Sequence, residues 1–191
     1  MRINNVEQYA TMRHMLEERA TPVLALRSAN AQQTIALGRR LGAHLHAGDV
    51  VLLFAPFGAG KTHLTKGIAA AWGVDPDDVN SPSFVLVNQY DAAPRGYPAH
   101  RRLPIYHADL YRLEGADEVA SVGLDDLIDA RGLVIVEWAE HGGSLLPAEH
   151  LAIHIDVAGE NERVLRFEGR GARYEQLIEQ LRVTSDECLS V

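Results

Sequence analysis

The sequence is poor in cysteine, and this scarcity excludes two kinds of site. Its 191 residues include one cysteine, Cys188, three positions before the end of the chain. One thiol cannot form an intramolecular disulfide, and no spacing of cysteine and histidine matches a zinc site. This cysteine usage indicates a reducing compartment.

Long apolar runs are also missing. Residues 1–20 are interrupted by charged side chains and have no apolar stretch as long as that of a signal peptide. No other segment approaches the roughly 20 apolar residues that cross a bilayer. We therefore expect a soluble, cytoplasmic protein that does not contact a membrane.

Positive charge is scarce as well. The formal net charge is −8, and the chain has two lysines, Lys61 and Lys66. Proteins that bind nucleic acid by their own surface usually carry a basic patch. The one basic cluster here is formed by Arg95, Arg101 and Arg102, and we interpret it as part of a solvated loop. If RNA is involved in the function, a partner is expected to make most of the contacts with it.

Apolar runs that suit strands alternate with segments of helical periodicity. The runs at 50–54 and 133–136 are continuously apolar, as is typical of strands buried on both faces of a parallel sheet. The alternation predicts an α/β fold with a mainly parallel central sheet. The C-terminal strands, near 151–167, are expected to run partly antiparallel as an edge of that sheet.

The predicted elements divide the chain into a leader at 1–22, a single domain at 23–182 and a tail at 183–191. Strands are predicted at 23–26, 50–54, 84–90, 104–109, 133–137, 151–157 and 164–167. Helices are predicted at 31–45, 61–72 and 174–181, and one or two short helices at 116–129.

A glycine-rich turn follows the apolar run at 50–54. Residues 55–62 have the sequence Ala-Pro-Phe-Gly-Ala-Gly-Lys-Thr, which departs from the P-loop pattern GxxxxGK[ST] in its first residue. The strand before the turn and the helix after it are the context that this pattern requires. If the first position needs a positive φ, Ala55 would strain the loop.

This turn predicts an ATP site. Gly58 and Gly60 allow backbone N–H groups to turn towards phosphate oxygens, and the start of the following helix attracts the same anion. Lys61 is placed to reach the β- and γ-phosphates, and Thr62 is placed to bind Mg²⁺. The domain is therefore predicted to be a P-loop NTPase-like three-layer sandwich that binds ATP and Mg²⁺.

Two carboxylates follow predicted strands. A P-loop ATPase needs an acidic residue at the end of a neighbouring strand, where it holds the metal or the metal's waters. Glu137 ends the strand at 133–137 and Asp109 ends the one at 104–109. Either could instead be a capping or solvated carboxylate, but the P-loop favours a metal-related role for at least one of them.

Four ordered motifs between residues 23 and 157 resemble those of the TsaE (YjeE) family of bacterial P-loop ATPases. Residues 57–62 are similar to the family's Leu-Gly-Ala-Gly-Lys-Thr, and residues 81–84 resemble its Ser-Pro-Thr-Phe turn, with serine in place of threonine. Residues 107–112 match its His-x-Asp-x-Tyr-Arg motif. Residues 136–138 resemble its Ile-Glu-Trp segment. The series in this order is far more specific than the P-loop by itself.

The resemblance implies a role in making N6-threonylcarbamoyladenosine on tRNAs that decode codons beginning with adenine. In that family the protein is a weak ATPase by itself and binds where its partners TsaB and TsaD meet. TsaD transfers the threonylcarbamoyl group, so this chain would contact tRNA only indirectly, through the complex. Hydrolysis of ATP would reset the assembly.

The resemblance also implies roles for individual residues. Thr62 and Glu137 would bind Mg²⁺. Asp109 would position the attacking water or the metal's water shell, and Ser83 would sense the γ-phosphate. Lys61, Asp109 and Glu137 would be the catalytic residues. The residues implied to bind the nucleotide are Ala31, by a backbone contact, and Phe57, Gly58, Ala59, Gly60, Lys61, Thr62 and Ser83.

Four residues of the last two motifs have competing interpretations. His107 is either a hydrogen-bonded core histidine or a group in direct contact with the reacting phosphate. For Tyr111, direct catalytic contact is one of the competing interpretations. Arg112 either meets phosphate or braces one of the two carboxylates. Trp138 either packs in the fold or stacks on the ligand, and packing is the preferred interpretation.

Two other functions are compatible with the motifs. In a small-molecule kinase, the loop from Arg95 to Arg102 would close over a transferred phosphate. In a non-hydrolysing adaptor, ATP binding alone would set the affinity for partners. A GTPase is disfavoured, because no lysine follows Lys66 to complete the Asn-Lys-x-Asp guanine motif.

Overall fold

The computed structural model of the chain describes residues 23–94, 96–98, 101–129 and 131–188, with side chains as far as Val183. The predicted leader at 1–22 and Arg95 lie outside these residues. Among the described helices, none combines the length and the apolar character that spanning a bilayer requires.

The described residues form one seven-stranded sheet. The strands are β1 (Val23–Ser28), β2 (Val50–Phe54), β3 (Val87–Ala92), β4 (Leu103–Asp109), β5 (Leu133–Glu137), β6 (His150–Val157) and β7 (Arg163–Arg170). They lie in the order β1-β7-β6-β2-β5-β4-β3. The central strands β6, β2, β5 and β4 are parallel, whereas β7 is antiparallel to β6 and β1, and β3 is antiparallel to β4.

This topology confirms the α/β fold and the antiparallel C-terminal strands, but the expected edge was wrong. The edge strand on this side of the sheet is β1, which pairs with β7 along its whole length. In β1, Leu24 and Leu26 pack against the core, while Ala25 and Arg27 are exposed. The order arises because β1 adds to the free side of β7, which is thereby paired with a strand on each side, β6 and β1.

Helices cover both faces of the sheet. They are α1 (Ala31–Gly42), α2 (Lys61–Ala71), α3 (Ala116–Ser121), α4 (Leu124–Asp129) and α5 (Ala172–Cys188). In β2, Val51 and Leu53 belong to the core beneath α1, α2 and α5, whereas Val50 and Leu52 belong to the core beneath α3 and α4. The three-layer sandwich is therefore confirmed. Helix α5 extends seven residues beyond its predicted end at 181, so part of the predicted tail is helical.

The predicted strand at 84–90 begins later in the structure. The N–H groups of Val85 and Leu86 donate to the carbonyl of Pro82 at 3.0 and 2.7 Å, and Leu86 has a φ of 67°. This turn leaves Phe84 82% exposed and Val85 64% exposed. Apolar character at these positions therefore belongs to a surface turn, and the strand starts at Val87.

Glycines allow α1 and α2 to pack backbone against backbone. A Cβ at Gly38 would lie 2.2 Å from the carbonyl oxygen of Leu64, and one at Gly67 would lie 2.0 Å from that of Ile35. No larger residue fits such a contact without shifting the helices. The packing places the first turn of α1 next to the loop that precedes α2.

The segments predicted to form the site meet at one edge of the sheet. Because β2, β5 and β4 are parallel neighbours, their carboxyl ends lie side by side. The loop at 55–60 follows β2, Glu137 ends β5 and Asp109 ends β4. Asp109 and Glu137 are also register partners across the two strands.

Candidate nucleotide-binding site

The loop after β2 has the backbone conformation of a phosphate cradle. Gly58 and Gly60 have φ values of 73° and 103°, in the left-handed region that side chains disfavour. Gly60 directly precedes α2, so the unpaired N–H groups at the helix start face the same space. Ala55 is absent from the described residues with positive φ, which are Leu86, Arg131, Trp138 and glycines. Alanine at the first position of the pattern therefore causes no backbone strain there.

The ammonium group of Lys61 is buried inside this loop. Its Nζ donates to the carbonyl oxygens of Ala55 and Pro56 at 2.9 and 3.1 Å and lies 3.9 Å from the centroid of the Trp138 ring. Burial lowers the pKa of Lys61, and the negative charge of Glu137 offsets part of this effect. The fold therefore holds a positive charge beside the cradle in spite of its desolvation.

The carboxylate of Glu137 joins three elements. Its Oε1 accepts a hydrogen bond from the hydroxyl of Thr62 at 3.0 Å and lies 2.8 Å from Nε2 of His107. Both Glu137 and His107 are buried. Within the described part of the chain, Nδ1 of His107 has no hydrogen-bond partner. The histidine therefore contacts the carboxylate from the core side, while Thr62 contacts it from the cavity side.

The pair of Thr62 and Glu137 fits a magnesium ion. Mg²⁺ prefers oxygen ligands, and in nucleotide sites it takes one or two from the protein and the rest from phosphates and water. No group of three or more histidine, cysteine or acidic side chains in the described ranges is arranged to hold a metal. A hydroxyl and a carboxylate beside a phosphate cradle match the nucleotide-bound kind of site instead.

The second carboxylate, that of Asp109, is held by a serine for which the sequence predicted no role. Its Oδ2 accepts from the hydroxyl of Ser81 at 2.7 Å, and its Oδ1 accepts from the backbone N–H of Tyr111 at 3.0 Å. The hydroxyls of Ser81 and Ser83 are 3.3 Å apart. The predicted switch hydroxyl of Ser83 is therefore linked to Asp109 through Ser81.

Aromatic side chains surround the mouth of the site. Trp138 has a left-handed backbone, with φ at 57°, and its ring lies 4.7 Å from that of Tyr111. The Phe57 ring lies 6.3 Å beyond Tyr111 and is 82% exposed. The guanidinium carbon of Arg112 lies 4.2 Å from the Phe84 ring centroid, a contact that the sequence did not predict.

Two adjoining cavities contain all of the predicted site residues. The larger has a volume of about 340 Å³, and the smaller about 170 Å³. Gly58, Gly60 and His63 line both. Of the predicted residues, the larger cavity is lined by Phe57, Gly58, Gly60, Lys61, Thr62, Ser83, Asp109 and Glu137, and the smaller adds Ala31 and Ala59.

Among the residues of the smaller cavity that sequence reasoning missed is Arg163. It begins β7, and its Nε donates to the carbonyl of Ala59 at 2.9 Å. The two residues are 104 positions apart, and Arg163 belongs to none of the motifs, so no local pattern could have identified it.

Comparison with known proteins agrees with the four motifs. The family model "Threonylcarbamoyl adenosine biosynthesis protein TsaE" matches residues 28–165. A protein of Bacillus subtilis strain 168 named tRNA threonylcarbamoyladenosine biosynthesis protein TsaE is 39% identical over 158 residues, covering 83% of this chain and 93% of its own. A protein of the same name from Treponema pallidum is 32% identical over 136 residues, covering 71% of this chain and 93% of its own.

A solved structure agrees as well. The crystal structure of Bacillus subtilis YdiB superimposes with a TM-score of 0.70 at 33% sequence identity, covering 87% of this chain and 99% of that one. Nucleotide binding and tRNA processing fit this group of proteins. The sequence match and the shared fold together show that the chain belongs to the TsaE family of threonylcarbamoyl adenosine biosynthesis proteins.

Proposed function

We propose that the chain is a magnesium-dependent ATPase that binds a TsaB–TsaD complex and supports N6-threonylcarbamoyladenosine formation on tRNAs that decode codons beginning with adenine. One observation carries this proposal. The phosphate cradle, the Thr62–Glu137 pair and Asp109 all line one cavity at the carboxyl edge of the sheet. We assign the ATPase to a single domain, residues 23–182.

ATP would span the two cavities, with its phosphates in the larger one. The N–H groups of 58–62 and the Lys61 ammonium would bind the phosphates, because they supply donors and positive charge at the helix start. Ala31 lines the smaller cavity at the first turn of α1, where the nucleoside would lie. The proposed nucleotide-binding set also keeps Phe57, Gly58, Ala59, Gly60, Thr62 and Ser83.

Thr62 and Glu137 would hold Mg²⁺, which neutralises charge developing on the phosphate oxygens. His107 would keep the carboxylate of Glu137 in place through its contact at 2.8 Å. This arrangement assigns His107 to positioning, and it leaves the cavity face of Glu137 for the metal.

Asp109 would orient the attacking water. Its Oδ1 and Oδ2 are fixed by Tyr111 N–H and the Ser81 hydroxyl, so the carboxylate has a defined direction beside the cradle. The hydroxyl of Ser83, 3.3 Å from that of Ser81, would contact the γ-phosphate and couple its presence to Ser81 and Asp109. The catalytic residues are therefore Lys61, Asp109 and Glu137.

The partner would dock on the mouth of the cavity. We name as the apolar rim the exposed side chains Phe57, Phe84, Val85 and Tyr111. Exposed apolar groups gathered at one place mark interaction surfaces more often than scattered ones do. A partner on the rim would sense whether ATP is bound. With a net charge of −8, the chain would meet tRNA only through that complex, in the cytoplasm.

The test is hydrolysis of ATP with Mg²⁺ by the protein alone and with purified TsaB and TsaD. Slow hydrolysis that the pair stimulates and that Lys61→Ala abolishes is the expected result. ATP binding without any stimulation by the pair would overturn the partner assignment. Formation of a phosphorylated small molecule would favour the kinase, although no described residue of the loop at 91–103 lines either cavity.

The variant Glu137→Ala distinguishes the ATPase from a non-hydrolysing adaptor. If this variant binds ATP and still supports full tRNA modification, binding alone is sufficient and the adaptor is correct. If it binds ATP and fails, hydrolysis is required.

A further inference from the structure

Arg163 connects the hairpin between β6 and β7 to the phosphate cradle. At one end of the guanidinium, Nε donates to the carbonyl of Ala59 at 2.9 Å, and Nη2 lies 3.5 Å from that of Gly58. At the other end, Nη1 donates to carbonyl oxygens of the hairpin turn at 2.9 to 3.3 Å. All of these bonds are made to backbone oxygens, so the side chain fixes peptide planes instead of pairing with a carboxylate.

The bond to Ala59 sets the direction of a phosphate-binding group. In a trans peptide unit the C=O and the next residue's N–H point in opposite directions. A donor that holds the carbonyl of Ala59 from the hairpin side therefore points the N–H of Gly60 to the other side, towards the cradle. The nearby positive charge also polarises this peptide and strengthens its N–H as a donor.

The cradle needs such an external contact because its glycines can adopt many backbone conformations. Gly58 and Gly60 occupy left-handed conformations, but glycine populates several other regions equally well. Ordering these residues costs conformational entropy when a ligand binds. A contact that orders the loop beforehand removes part of this cost from nucleotide binding.

We propose that Arg163 is a positioning residue for nucleotide phosphate, acting through the peptide between Ala59 and Gly60. The inference rests on the proposed nucleotide function of the cradle. Arg163 orients a donor that contacts phosphate equally in the bound substrate and during the reaction. Its loss therefore raises KM for ATP and leaves kcat unchanged.

The chain offers a matched control in Arg166, on the same strand. Its guanidinium pairs with Asp156 across the hairpin and lines neither cavity. Arg163→Gln and Arg166→Gln each remove one positive charge from β7. The hairpin turn keeps its own backbone bonds in both, from the N–H groups of Ala158 and Gly159 to the carbonyl of Glu162.

The experiment is isothermal titration of each purified full-length variant with ADP and ATP in the presence of Mg²⁺, together with kcat and KM for ATP. Arg163→Gln is expected to weaken binding and raise KM by about tenfold, because the charge-assisted hydrogen bonds from Arg163 to the cradle carbonyls are lost. Arg166→Gln is expected to bind as the wild type does. In ¹⁵N-resolved spectra, the amide of Gly60 is expected to shift in the first variant only.

Arg163→Lys keeps the charge without the planar fork and is expected to recover part of the affinity. It also carries the test if Arg163→Gln fails to fold. Wild-type affinity in both Arg163 variants would overturn the inference and leave the proposed function standing. A wild-type protein that binds neither ADP nor ATP would overturn the proposed function, and the inference with it.

Discussion

The hydroxyl of Thr62 donates to Oε1 of Glu137 across 3.0 Å, joining the first turn of α2 to the end of β5. Both residues sit on regular elements, and Glu137 is 2% exposed. The two oxygens are therefore placed before any ligand arrives, which lowers the cost of assembling a magnesium site between them.

Glu137→Gln is expected to reduce ATP hydrolysis by about 100-fold while nucleotide binding persists. The amide keeps the size of the side chain but loses the charge that would hold Mg²⁺. Single-turnover hydrolysis and calorimetric binding measure the two effects separately. Glu140→Gln is the control, since Glu140 is exposed and close enough to affect Lys61 but does not line the cavity. Hydrolysis at the wild-type rate in Glu137→Gln would remove the metal role from this residue.

Ser81→Ala is expected to slow ATP hydrolysis by about tenfold, because Asp109 loses the hydrogen bond that fixes its Oδ2. Ser83→Ala is expected to act differently, by reducing the preference for ATP over ADP. Steady-state kinetics and nucleotide affinities of the two variants, compared side by side, check this division. If Ser83→Ala slows hydrolysis and Ser81→Ala does not, the structural link between Ser81 and Asp109 has no catalytic consequence.

Lys61 predicts a pH effect on stability. Its pKa in the folded protein lies below the ordinary value of 10.5 because of burial. Between these two pKa values the unfolded chain binds more protons than the folded one, so the free energy of unfolding rises with pH. The stability of the wild type relative to Lys61→Met is therefore expected to increase as the pH rises from the folded pKa of Lys61 towards 10.5, as measured by urea unfolding. Lys66→Met controls for the loss of a lysine, and a constant difference for Lys61→Met would contradict the effect of burial.

Gly67→Ala is expected to lower the free energy of unfolding by about 1 to 3 kcal/mol, because the added methyl group meets the carbonyl of Ile35 at 2.0 Å. Thermal unfolding without nucleotide measures it. Gln32→Ala, at an exposed position of α1, is expected to change stability by about 0.5 kcal/mol at most. A stable Gly67→Ala protein would show that α1 and α2 can separate easily.

Val85→Ser is expected to reduce the stimulation of hydrolysis by TsaB and TsaD without altering basal hydrolysis, because it removes an apolar side chain from the rim. Val183→Ser is closely matched, since the two valines are 64% and 63% exposed and Val183 lies on α5. Titration of the partner pair against hydrolysis rate gives the apparent affinity of each variant. Equal loss in both variants would place docking elsewhere.

Much of the fold could be predicted because its information is local. The buried strands β2 and β5 appear as unbroken apolar runs, and the P-loop pattern marks the joint between β2 and α2. The prediction of a strand at Phe84 and Val85 is wrong because apolar residues were taken to be buried. In the structure these two side chains are exposed on a surface turn.

The site could be predicted as a set of residues but not as a set of contacts. The contact of His107 with Glu137 depends on β4 lying beside β5, which no pattern in either strand determines. The contact of Arg163 with Ala59 depends on a hairpin folding back over a loop 104 residues earlier. Sequence patterns report which residues favour an element, while these contacts arise from the order of strands in the sheet.

The glycine contacts between α1 and α2 also tie the two cavities together. Helices that touch backbone to backbone have no side-chain layer between them in which to slide, so they can be displaced only as one rigid unit. The start of α1 and the start of α2 lie at the same end of that unit. Any rearrangement that moves Lys61 and Thr62 must therefore carry Ala31 with it, so the phosphate end and the nucleoside end of a bound nucleotide would shift in a single step.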